Sequence, residues 1–156
     1  MSIHRLLLCV VPIAFGLVWA ADSEERDLPA GPGKDAVATV CSACHAMGKI
    51  RRLRLPADGW AGKIDDMVDR GAQATPEQID AVGAYLTANF GPGAKVRVNT
   101  APLEELRAVL GLTADESSAV VAWRKKNGDF RSWIDVAKVP GVDGGKVEGK
   151  KDLMAF

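Results

Sequence analysis

Residues 40–56 read VCSACHAMGKIRRLRLP, placing two cysteines and a histidine within five consecutive positions and following them closely with Arg51, Arg52 and Arg54. The 156-residue chain has 3 cysteines and 2 histidines in all. Its opening, MSIHRLLLCVVPIAFGLVWA, has a short positive start at His4 and Arg5, an apolar run from Leu6 to Val18, and small residues before a cut after Ala20. This is the pattern of a secretory signal peptide over residues 1–20. The apolar run of about a dozen residues is short of the roughly twenty needed to span a bilayer, so export to the periplasm is expected, with no membrane span in the mature protein. Cleavage removes His4 and Cys9, leaving Cys41, Cys44 and His45 as the only cysteines and histidine of the mature sequence. An oxidising compartment would join a lone cysteine pair unless something else claims the sulfurs.

The composition is that of a globular protein, 47% hydrophobic and 26% charged. Its 20 basic and 20 acidic residues lose only Arg5 on cleavage, so no global field points to nucleic acid or an acidic membrane. Residues 21–32 are polar and rich in proline and glycine, the pattern of a flexible tether. Helical spacing then begins. Val37, Val40 and Ala43 run into the cysteine motif, and Trp60, Ile64, Met67 and Val68 form one stripe of a helix ending at Gly71. A third helix opens with a capping box, Thr75 with Gln78, carries Ile79, Val82, Leu86 and Phe90, and closes at Gly91. The Gly/Pro joint GPGAK separates this half from further short helices with glycine-bearing turns. No alternating run is long enough for a sheet, so the expected fold class is all-α, in two small domains over 33–92 and 98–156 with a linker at 93–97.

Cys41-Ser42-Ala43-Cys44-His45 matches C-x-x-C-H, the pattern of covalent c-type haem attachment. Two thiols one helical turn apart can add to the two vinyl groups of a porphyrin, and the next histidine can reach the iron as proximal ligand. A structural zinc site needs four ligands, more than the mature chain supplies, and a thioredoxin-like pair belongs in a βαβ context. A structural disulfide stays as an alternative, although it gives His45 no task. The expected cofactor is one covalent haem c. Met67, on the stripe of Trp60 and Ile64, is the expected distal ligand; Met47 follows His45 too closely and Met154 lies far along the chain. A histidine and methionine pair favours a high potential and fills the iron, which means electron transfer rather than catalysis. Arg51, Arg52 and Arg54 are expected to meet the haem propionates, whose burial demands cations or donors.

With CSACH, GWAGKIDDMVDRGA and YLTANFG, residues 33–92 resemble a small class I c-type cytochrome of the dehydrogenase-associated type. The resemblance implies a haem-wrapping fold with crossing first and last helices, His45 as proximal ligand and Met67 in the matching distal position. The methionine loop followed by prolines that many members carry is missing here.

Residues 96–156 resemble the tandem helix-hairpin-helix module of competence-type DNA receptors, through VNTA…EEL and AWRKKNGDFRS. In that family glycines in each hairpin let backbone N–H groups approach a phosphate. Here the hairpins read Leu110-Gly111-Leu112-Thr113 and Pro140-Gly141-Val142-Asp143, both without the second glycine. Asp143 puts negative charge where a phosphate would sit, and residues 95–156 hold 11 basic against 9 acidic side chains. Trp123 and Trp133 read as core. The sequence thus leads to a non-enzymatic periplasmic electron carrier, a candidate subunit of an oxidoreductase complex, whose partner is a redox protein or dehydrogenase docked through the helical module. The alternative is an exported DNA-binding helix-hairpin-helix protein with a haem domain as sensor or stabiliser.

Overall fold

The computed structural model describes residues 28–156. The expected signal peptide and residues 21–27 of the expected tether lie outside the described residues. Within the expected tether, Leu28 is buried, and the carbonyl of Pro29 accepts a 2.6 Å hydrogen bond from the buried Tyr85 hydroxyl.

The architecture is mostly helical, as the periodicity predicts. The first half contains α1 (Lys34–Ser42), α2 (Gly48–Arg51), α3 (Ala57–Asp69) and α4 (Pro76–Phe90). The second contains β1 (Val96–Arg97), α5 (Leu103–Leu110), α6 (Ala114–Asn127), α7 (Trp133–Ala137), α8 (Gly144–Gly149), a 3-10 turn (Lys151–Leu153) and β2 (Met154–Ala155). The Thr75–Gln78 capping box is present in both directions, so α4 starts where its sequence signal places it. The expectation of no sheet needs a small correction. β1 and β2 pair in parallel, Val96 with Met154 and Arg97 with Ala155, a ladder too short to leave an alternating signature.

Each half gathers its own apolar core. Val37, Met47, Trp60, Val82, Tyr85, Leu86 and Phe90 fill the first; Val98, Leu106, Leu110, Val120, Phe130, Val136 and Val147 are among those filling the second. Trp123 and Trp133 pack partly buried against the second core, as expected, and Lys151 lies 5.9 Å from the Trp133 ring centre. The α3 stripe departs from expectation. Trp60 is 2% exposed and donates its indole N–H to the Phe90 carbonyl at 3.1 Å, but Met67 and Val68 are 36% and 39% exposed. Helical spacing identifies a shared face without saying whether that face meets core or cavity.

Close approach of α1 to α4 positions the cysteine motif. At Gly33, just before α1, φ is +86°, and a Cβ would come 2.5 Å from the Ala81 carbonyl oxygen and 2.9 Å from the Tyr85 Cβ. Only glycine satisfies both the left-handed backbone and the tight approach. Gly33→Ala should therefore lower unfolding free energy by about 3 kcal/mol, combining overpacking with backbone strain. Gly62→Ala, at a helical position with nothing within 4 Å of the added carbon, should raise it by roughly 0.5–1 kcal/mol. Urea unfolding of both variants checks the pair; equal effects would contradict the crossing.

Candidate functional site

Two places in the molecule collect functional side chains. The first is a cavity of about 510 Å³ between the cysteine motif and helices α3 and α4. α1 ends at Ser42, so Cys41 sits on its last turn and Cys44 and His45 in the turn that follows. Cys41, Cys44, His45 and Met67 all line the cavity, with Ile50, Leu53, Trp60, Ile64, Val82 and Leu86 among its apolar walls. Met67 is thus at the cavity rather than inside the core, while Met47 and Met154 are buried in the cores of the two halves. The cysteines are unbridged. Burial pushes the Cys41 thiol up to about 11, so it stands protonated at neutral pH, without the thiolate character of a redox nucleophile. His45 is half-buried, its Nδ1 3.4 Å from the Ala46 carbonyl oxygen.

The three arginines separate. Arg52 lines the cavity, as a propionate contact requires. Arg51 and Arg54 instead serve the joint between the halves. Arg51 Nε donates to Glu105 Oε2 and Arg54 Nη2 to Glu105 Oε1, both at 2.8 Å. Arg51 and Glu105 are each 2% exposed. Arg54 also donates to the carbonyls of Ala94, Arg51 and Leu53 and lies over the Phe90 ring at 5.5 Å. A carboxylate far along the chain is a stronger, fixed partner for a buried guanidinium than a flexible propionate, and no local sequence signal announces it.

The second place is the pair of hairpins between α5 and α6 and between α7 and α8. Gly111 and Gly141 take φ of +72° and +84°, with nothing within 4 Å of where a side chain would begin. The missing second glycines leave no strain, because Thr113 and Asp143 have φ of −69° and −74°. Both are helix caps. Thr113 Oγ1 accepts from Glu116 N, and Asp143 Oδ1 accepts from the N–H groups of Gly145 and Lys146 at 2.9 and 3.3 Å. The charge of Asp143, expected to repel a phosphate, is engaged by the start of its own helix. Glu116, 6% exposed, accepts from Thr113 N and Asp143 N and pairs with Lys146 Nζ at 3.0 Å. Neither Glu116 nor Glu105 stands out in the sequence by charge or spacing to a partner, although the capping-box spacing Thr-x-x-Glu is a signal for the first. Of the basic cluster, Lys125, Lys126 and Arg131 are exposed, while Arg124 donates to the Val98 carbonyl.

Residues 91–152 match the family model described as helix-hairpin-helix motif. The chain is also similar to ComE operon protein 1 of Bacillus subtilis (strain 168), at 38% identity over 60 residues. That alignment covers 38% of this chain and 29% of the relative, so the chain spans under a third of the protein it matches. No solved structure matches. These findings correct the expected function: the matched family is a helix-hairpin-helix one, and an electron carrier with a redox protein for its partner, and DNA set aside, is overturned. The expected metal-binding character is corrected to this extent: among the described residues no group of three or more His, Cys, Asp or Glu side chains converges to hold a metal ion by itself. Among the described residues no helix is long and apolar enough to cross a membrane.

Two measurements test this geometry. Glu105→Gln should lower unfolding free energy by about 3–5 kcal/mol, because it leaves the buried Arg51 and the half-buried Arg54 without their carboxylate; a loss below about 1 kcal/mol would mean the joint does not rely on it. Glu116 titrates at about 2 against an ordinary 4.5, held down by the Thr113 N–H and then by Lys146. A lowered carboxyl pKa contributes stability that is full above the ordinary value and is lost as pH falls through the lowered one. The stability difference between wild type and Glu116→Gln should therefore stay flat above about pH 5 and shrink steadily towards pH 2, read by denaturant unfolding across that range.

Proposed function

We propose that this is an exported DNA-binding protein, in which the helix-hairpin-helix half holds the sugar-phosphate backbone and the first half is a small haem-wrapping domain steadied by covalent haem c. The observation that carries the reading is the pair of bare glycine turns, Gly111 and Gly141, inside the stretch similar to helix-hairpin-helix proteins. Turns without side chains let a phosphate come close to backbone N–H groups. The exposed cations Lys125, Lys126, Lys138 and Lys150 supply attraction on the same half. The resemblance of residues 96–156 to the helix-hairpin-helix module of competence-type DNA receptors supports the same partner, and the signal-like opening of the sequence supports export to the periplasm.

The residues of the first half fit a flat apolar group held covalently. Its cavity combines apolar walls, two thiols one turn apart, an imidazole and a thioether. Cys41 and Cys44 would hold the ring edge, His45 and Met67 would offer nitrogen and sulfur to iron, and Arg52 would offer a cation to a propionate. When bound, haem c supplies a large apolar surface and a redox-active iron. A half of about sixty residues has a core of marginal size, and an additional covalent hydrophobic body would enlarge it. The close crossing of α1 and α4 at Gly33 also suits the wrapping fold that the sequence resembles.

Fluorescence anisotropy of a short labelled duplex, titrated with the protein from about 50 to 200 mM salt, tests the partner. Binding should weaken steeply with salt, and a Lys125→Glu, Lys126→Glu variant should bind less tightly with a shallower salt slope, by about one unit for each phosphate no longer neutralised. Binding absent at the lowest salt overturns the reading. For the cofactor, protein made in a periplasm competent for haem attachment should keep haem through denaturing electrophoresis, and the Cys41→Ser, Cys44→Ser variant should lose it.

A further inference from the structure

The two hairpins place Thr113 and Asp143 at equivalent positions, each opening the helix that follows its glycine turn. Three residues on, at equivalent positions again, stand Glu116 and Lys146. One carboxylate joins the set. Glu116 Oε2 accepts from the backbone N–H of Thr113 at 2.6 Å, and Oε1 accepts from the backbone N–H of Asp143 at 3.1 Å. Lys146 Nζ closes the arrangement, 3.0 and 3.2 Å from the two oxygens.

Comparison within the molecule sets this carboxylate apart. Capping boxes also form at Thr75 with Gln78 and at Ser132 with Asp135. In both, the hydrogen-bond donors to the box side chain lie within four residues of it. A box needs only one acceptor oxygen for the N-cap N–H, and the other ordinarily faces water. Here the other oxygen reaches a backbone donor 27 residues away, and the side chain is 8% exposed. Hydrogen bonds to an ionised group are the stronger kind, so the link is stiff as well as direct.

We propose that Glu116 is a positioning residue that locks the two hairpin turns into one rigid unit, so that both meet the DNA backbone together. The proposal rests on the DNA-binding reading given above. Without the lock, one turn still reaches a phosphate, while the other has to be ordered during binding.

The test uses the full chain and the labelled duplex. Glu116→Gln should weaken binding at low salt about tenfold and make the slope of log affinity against log salt shallower by about one to two units, the share of one turn. Val120→Ala, in the same core and away from the turns, should destabilise the half while leaving that slope unchanged. Reversing the pair, Glu116→Lys with Lys146→Glu, should recover most of the affinity that Glu116→Lys alone loses. A wild-type slope in Glu116→Gln, or an equal reduction in Val120→Ala, overturns the proposal. Amide hydrogen exchange provides a readout independent of DNA: in Glu116→Gln, the Thr113 and Asp143 amides should exchange about tenfold faster or more, and together. Unchanged exchange at Asp143 overturns the lock itself. Wild-type protein that binds no DNA while both amides respond overturns the DNA-binding reading and leaves the lock standing.

Discussion

The carboxylate of Glu105 holds this molecule together as one object. The halves have separate cores, and a short linker would let them swing if nothing else joined them. Glu105 stands on α5 and meets Arg51, at the end of α2, and Arg54, just beyond it, with an oxygen for each guanidinium. Burying Arg51 and Glu105 and half-burying Arg54 is unfavourable unless geometry and further hydrogen bonds compensate, and Arg54 adds three backbone carbonyls to its carboxylate. Such an arrangement favours one relative placement of the halves over its neighbours. A hydrophobic joint of equal area would be less selective in direction.

The same device recurs at smaller scale. Glu116 joins the two hairpins as Glu105 joins the two halves, in each case a buried carboxylate that uses both oxygens and reaches a partner far along the chain. Small helical units with few core residues have little packing with which to fix orientation. Directional, charge-assisted hydrogen bonds supply what packing leaves loose.

The helices are legible in the sequence because their signals are local: the capping box at Thr75, the glycines that end α3 and α5, the spacing of apolar side chains. The cysteine motif is legible for the same reason, and the structure brings Cys41, Cys44, His45 and Met67 to one cavity. The roles of Arg51 and Arg54 are not legible. Their partner lies more than fifty positions away, and a single acidic residue on an amphipathic helix carries no mark of burial. The charge of Asp143 misleads when it is weighed without its hydrogen bonds; as a helix cap it faces the donors of its own chain. Periodicity also puts Met67 and Val68 with Trp60 on one stripe, but it does not tell a packed face from a cavity wall.

The ladder of β1 and β2 has a bearing on how the second half is attached. It sets the entry of the second half, Val96 and Arg97, beside its exit, Met154 and Ala155. A unit whose two ends emerge side by side can be spliced into a loop of another protein without distorting either partner. Residues 96–155 therefore enter and leave on one edge, and the cysteine-bearing half attaches at that edge.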